Sequence, residues 1–101
     1  MTKYDVIVSD RAMRMLGSSI RFAAKINKES ALKTRRKIVK AFHSLSEMPE
    51  RYPFFEAKFI PENKYHKMFV AKWYLVLYQI KENKVEIDYV IDCRRDYEWL
   101  I

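Results

Sequence analysis

Between Trp73 and Tyr78 the chain is apolar without interruption, and Ile80 extends the run. Such a stretch is far too short to cross a membrane. It reads as a central β-strand that other elements must cover on both faces. Everything else in the fold has to supply that cover.

The flanking residues supply more strand. Lys84 to Asp92 alternates, which sets Val85, Ile87, Tyr89 and Ile91 inward and Lys84, Glu86, Asp88 and Asp92 outward. Lys64 to Val70 forms a third segment, with Ala71-Lys72 and Lys81-Glu82-Asn83 as turns. Tyr4 to Val8 is a short strand at the other end of the chain.

The periodicity between these parts is helical. Ser9 or Asp10 is a suitable N-cap. Met13, Leu16, Ile20 and Ala23 then recur at helix spacing, widened by Met15, Phe22 and Ile26. Asn27 to Ser30 is a tight connection, with Ser30 as the cap of a second helix over residues 31–46. Ala31, Ile38, Phe42 and Leu45 share one face of that helix, and Lys33, Arg35, Arg36, Lys37 and Lys40 crowd the others. Pro49 forbids continuation and drives Met48 out of helical geometry. Residues 49–63 form a loop that Tyr52, Phe54, Phe55 and Phe59 fold back on the core. The order is βααβββ. It predicts an α+β domain spanning residues 1–101, a helical hairpin packed on a small, twisted, mostly antiparallel sheet.

Charge is unevenly placed. The net charge of +7 lies wholly in residues 1–48, which carry 11 Lys/Arg and 4 Asp/Glu; residues 49–101 carry 9 of each. A basic surface attracts nucleic acid, ribosomes or an acidic protein, although a solvated helix face is the plainer explanation. Cys93 is the single cysteine, and the N-terminal residues contain no hydrophobic signal region, so the expected setting is a reducing cytoplasm. His43, His66 and Cys93 have no metal-ligand spacing, and neither a metal nor another cofactor is expected.

This order and three local stretches resemble the RelE/ParE toxin superfamily of type II toxin–antitoxin systems. Leu45 to Pro53 is similar to the family's helix exit, Tyr74 to Ile80 to its third strand, and Val90 to Tyr97 to its C-terminal signature with a basic pair. The resemblance implies a cognate antitoxin protein as partner. The function expected first is that of RelE-like members, a ribosome-dependent endonuclease that cuts mRNA in the A site without a metal and so inhibits translation; the alternative is that of ParE-like members, inhibition of DNA gyrase without enzymatic activity. A degenerate toxin that only binds its antitoxin is a third reading.

Metal-free RNA cleavage needs a base, a cation on the phosphorane and an acid for the leaving oxygen. Arg95 matches the basic residue that follows the last strand in RelE-like enzymes and is the candidate for phosphate stabilisation, with Arg94 beside it. Their plainer role is a surface pair with Asp96 or Glu98. His66 is the candidate base, or an ordinary edge-strand histidine. Tyr97 could stack on a base or assist proton transfer. Lys64, Lys67 and Lys72 are candidates for backbone phosphate; Lys64 and Lys67 could instead protect a sheet edge, and Lys72 or Lys67 could substitute for an arginine that the third strand lacks. Lys33, Arg36 and Lys40 are the candidate antitoxin contacts. One departure matters: the third-strand arginine common in the family is Leu75 here.

Overall fold

A computed structural model of the chain describes residues 3–95. The elements are β1 (Asp5–Val8), α1 (Asp10–Ala24), α2 (Lys28–Ser44), β2 (His66–Val70), β3 (Tyr74–Lys81) and β4 (Lys84–Asp92), with a single 3-10 turn at Pro49–Arg51. The strands form one sheet in the order β1-β4-β3-β2. β1 runs parallel to β4, and the other pairings are antiparallel. The expected βααβββ order is present.

Local chemistry fixes the helix ends. Ser9 Oγ accepts the Ala12 N–H at 3.0 Å and starts α1. The second cap differs from expectation: Asn27 Oδ1, not Ser30, accepts the Ser30 N–H at 2.9 Å, so α2 begins three residues earlier than residue 31. Asn competes as well as Ser for an N-cap, and here it arrives first in the chain. Met48 enters the left-handed region (φ 47°) before Pro49, ending the helical path. Arg51 then reaches back and donates to the Glu47 carbonyl at 2.6 Å and the Met48 carbonyl at 3.0 Å. Both carbonyls lie just beyond the C-terminus of α2, where a cation is favoured.

Both helices lie on one face of the sheet. Their buried residues, Ala12, Leu16, Ile20, Ala31, Ile38 and Phe42, meet Met68, Tyr74, Val76, Tyr78, Val85 and Ile87. The expected stripe on α1 is rotated. Ala12, Leu16, Ser19 and Ile20 face inward, while Met13 and Phe22 stay about half exposed and Ile26 is almost fully so. Ala12, Ser19 and Ala23 are small, and small side chains let a helix lie close over β4. The second sheet face carries Leu75, Leu77 and Ile91, covered by Phe55 and Tyr65 of the connecting loop. The central strand is thus buried on both faces.

A bulge corrects the alternation expected on β4. Leu77 pairs with Tyr89 but Tyr78 pairs with Ile87, so Asp88 is an extra residue. Beyond it, side chains exchange faces: Val85 and Ile87 join the helix-side core, and so does Val90, whereas Ile91 turns to the other face. Asp92, expected outward, is therefore driven under α1 and is 1% exposed. Side chains hold the bulge. Tyr65 Oη and Gln79 Nε2 donate to Asp88 Oδ2 at 2.9 and 2.7 Å. Arg11 donates to the Asp88 carbonyl at 3.3 Å and lies 4.0 Å over the Tyr89 ring. Burial, and then the Asp88 carboxylate, push the Tyr65 hydroxyl up to about 12, so it remains a donor at every physiological pH.

Candidate functional site

The bulge places a carboxylate where α1, β3 and the end of β4 meet, and the site is built on it. Ser19 Oγ donates to Asp92 Oδ2 at 2.9 Å and shares a 2.7 Å hydrogen bond with Tyr74 Oη. Arg94 donates to Asp92 three times: through its backbone N–H at 3.0 Å, through Nε at 3.2 Å and through Nη2 at 3.3 Å. Burial opposes ionisation of Asp92, but the Arg94 and Ser19 hydrogen bonds and the Arg94 charge outweigh it and hold the carboxyl below its ordinary range. The same bond to Asp92 keeps the Arg94 guanidinium protonated against a smaller cost of burial. Asp92 is thus an ionised, buried anchor for a half-exposed arginine.

Arg94 forms one lip of a groove of about 330 Å³ between the tip of the helical hairpin and the β2–β3 turn. Lys72 and Trp73 come from that turn, Lys37 from α2, and Ile26 from the connection between the helices. Ala71 and Lys72 both adopt positive φ (50° and 68°), which folds the three-residue turn tightly and projects Lys72 and Trp73 beside the helices. Trp73 is 49% exposed, with the Arg94 guanidinium 5.6 Å from its ring centre. Among the described residues, three cations and no carboxylate line the groove.

The structure brings together only some of the residues singled out from the sequence. Lys72 and Arg94 share the groove. Lys37 and Trp73 join them; one was read as a solvated helix residue and the other as part of the central strand. Their shared location depends on a helix–turn contact between segments far apart in sequence, which no local pattern encodes. Arg95 points elsewhere. It lies 4.6 Å over the Phe22 ring, in a shallow dent with Arg14, Met15 and Ser18 of α1. Lys64 sits over the Tyr65 ring at 5.4 Å. Lys67 lies on the sheet face opposite the helices, and its backbone N–H donates to the Pro53 carbonyl at 2.9 Å. Lys33, Arg36 and Lys40 are exposed on α2, one turn or two apart. Tyr97 lies outside the described residues.

His66 is 8% exposed and faces the helix-side core. Its ring lies between Phe54 and Tyr78, with centres 4.2 and 5.3 Å away, and Nδ1 is 2.7 Å from the Tyr52 carbonyl. It pairs with Tyr78, whereas Asp92 pairs with Tyr74. Four residues of strand separate those positions, about 13 Å at 3.3 Å per residue. His66 and the Arg94–Arg95 pair therefore do not converge on one reacting atom. Leu75, at the position of the family's third-strand arginine, is fully buried on the second face. Among the described residues no group of three or more His, Cys, Asp or Glu could hold a metal ion, and no helix is long and apolar enough to cross a membrane.

No protein-family model matches the sequence, and a comparison with curated proteins finds no relative. Solved structures do match the fold. One, described as "Chromosomal ParDE TA system from P. aeruginosa", contains a chain that superposes with a TM-score of 0.72 at 15% identity, covering 89% of this chain and 96% of that one. Two helices on a four-stranded mixed sheet, in this order and over this much of the chain, are the fold that this chain shares with that one.

Proposed function

We propose that the chain is the toxin of a type II toxin–antitoxin pair, and that it inhibits DNA gyrase without an enzymatic step of its own. The observation that carries this reading is the separation just described within a RelE/ParE-like fold. The buried His66 stands at one end of the strands, Arg94 and Arg95 at the other, and Leu75 replaces the arginine that RelE-like cleavage uses. Cleavage needs base, cation and acid around one phosphate, and the described residues do not gather them. The fold of a chain from a ParDE system supports the same choice.

The partner in this reading is a cognate antitoxin, docked across the exposed row of Lys33, Arg36 and Lys40, whose spacing suits an acidic segment. The pair acts in the cytoplasm, a setting supported by the single cysteine. A second reading, mRNA cleavage on the ribosome, draws support from the cationic groove at Lys72 and Arg94.

Two assays run in parallel decide between them. Purified protein is added to a gyrase supercoiling reaction and to a purified translation system in which mRNA ends are mapped. Inhibited supercoiling with intact mRNA is expected. New mRNA ends in the A-site codon would replace this reading with the nuclease. An effect in neither assay, with no growth arrest on expression, would leave a chain that only binds its antitoxin.

A further inference from the structure

The groove between the hairpin tip and the β2–β3 turn has a composition that gyrase inhibition does not require. Its lining combines three cations with one half-exposed indole and an apolar wall from Ala23, Ile26 and Ala71. We propose that it binds a phosphomonoester carried on a flat heteroaromatic group: a nucleoside 5′-monophosphate, or the 5′-phosphorylated end of a single strand.

Three observations lead there. The first is charge. Among the described residues, Lys37, Lys72 and Arg94 carry three positive charges, and the buried Asp92 beneath Arg94 returns one negative charge, leaving a net of two. A phosphomonoester carries about −1.5 to −2 at pH 7 and matches that net. A carboxylate or phosphodiester carries about −1 and leaves a cation unmatched. The second is geometry. Asp92 engages Arg94 through Nε and Nη2, so the guanidinium is held in one orientation at the lip of the groove with donors to spare. Ser19 and Tyr74 hold Asp92 in turn. The third is the platform. Trp73 keeps half its surface open beside these cations, where an unpaired base can stack on it. The volume, about 330 Å³, is that of a small-ligand site.

Titration calorimetry and tryptophan fluorescence of the purified full chain test this, with 5′-AMP, adenosine and inorganic phosphate as probes. The expected order of affinity is 5′-AMP, then phosphate, then adenosine. Lys72→Glu and Lys37→Glu change exposed side chains, leave the Asp92 anchor intact and should each weaken 5′-AMP binding by about tenfold or more. Trp73→Leu should weaken 5′-AMP about fivefold or more while leaving phosphate unchanged. Circular dichroism confirms that each variant is folded. No 5′-AMP binding at millimolar concentration, or binding indifferent to Lys72→Glu and Lys37→Glu, overturns the proposal. Binding of phosphate and 5′-AMP with equal affinity, unchanged in Trp73→Leu, overturns the role of the indole and with it the nucleotide. A dinucleotide with and without a 5′-phosphate separates the two sources: tighter binding than 5′-AMP, and only when phosphorylated, assigns the strand end. None of these measurements uses gyrase or translation, so the proposal and the toxin reading fail independently.

Discussion

Asp92→Asn tests the physical basis of the groove, because it keeps the shape of the anchor and removes its charge. Asp92 accepts from Ser19 Oγ, from the Arg94 backbone N–H, and from Arg94 Nε and Nη2. An asparagine keeps one acceptor oxygen. Its amide nitrogen must face either the Ser19–Nη2 side or the backbone–Nε side, setting donor against donor. Hydrogen bonds to charged groups are worth about 1.5–3 kcal/mol each, and breaking a fully buried ion pair costs about 3–5 kcal/mol. Arg94 is half exposed and regains water when released, which discounts that figure. The expected loss is about 2–3 kcal/mol. For a domain of this size that is a drop in Tm of about 8 °C or more.

The pH dependence makes the test sharper. The folded-state pKa of Asp92 lies below its ordinary value of 3.8. Its stabilisation is therefore complete above the ordinary value and disappears as pH falls through the lowered one. In thermal melts followed by circular dichroism, wild type and Asp92→Asn should be well separated at pH 7 and converge in strong acid. Adding Ser19→Ala to make a double-mutant cycle should give a coupling of about 0.5 kcal/mol or more, since the two side chains share one network. A gap below about 0.5 kcal/mol at pH 7, or one that stays constant into strong acid, would refute the account of Asp92 as an ionised anchor.

Four further outcomes follow from named contacts. Tyr78 Oη donates to the Pro49 carbonyl, and burial keeps its hydroxyl protonated; Tyr78→Phe should lower stability in urea denaturation by about 1–3 kcal/mol through the orphaned acceptor. Gly17 sits inside α1 at ordinary φ, and an added Cβ would meet only the Arg21 guanidinium, at 3.1 Å. Because that side chain is exposed and can swing aside, Gly17→Ala should raise stability by about 0.5–1 kcal/mol, and a fall in Tm would mean that Arg21 is held in place. His66→Ala should cost about 2–4 kcal/mol of packing yet leave growth arrest intact in cells grown cool enough to keep the variant folded, and loss of arrest by a folded variant would restore His66 as a functional base. Leu75→Arg, which introduces the arginine common in RelE/ParE third strands, should destabilise by about 3 kcal/mol or more without creating new mRNA ends, because the position is sealed under the loop.

Much of this fold was legible in the sequence because periodicity and punctuation are local. The apolar run of β3, the buried face of α2 at Ala31, Ile38 and Phe42, and the helix exit at Met48-Pro49 all appear where their residue patterns place them. The capping of α2 was misplaced because Asn27 and Ser30 are both competent caps, and the choice depends on how soon the chain turns out of α1. The stripe on α1 was rotated because large apolar residues mark a helical face more visibly than small ones. Here closeness to β4 selects Ala12 and Ser19 over Met13 and Phe22. The site was half legible. Arg94 and Lys72 stand out as cations near strand ends, but Lys37 and Trp73 acquire meaning only when the hairpin tip meets the β2–β3 turn.

The bulge explains why the remaining half was hidden. Strict alternation from Lys84 places Asp92 in water, where a carboxylate beside two arginines is an ordinary surface pair worth about 0–1 kcal/mol. One extra residue at Asp88 inverts that parity. The same carboxylate then lies beneath α1, where Arg94 and Ser19, itself bonded to Tyr74, are among the groups that hold it. Arg94 is thereby fixed, while Arg95, one residue on, is left to rest on Phe22. The division of labour between two adjacent arginines is thus set upstream, at the bulge, by the Asp88 contacts to Tyr65, Gln79 and Arg11. Those contacts join the loop, β3 and α1 to a single bulged residue. Nothing in the local sequence around Arg94 and Arg95 could have distinguished the two.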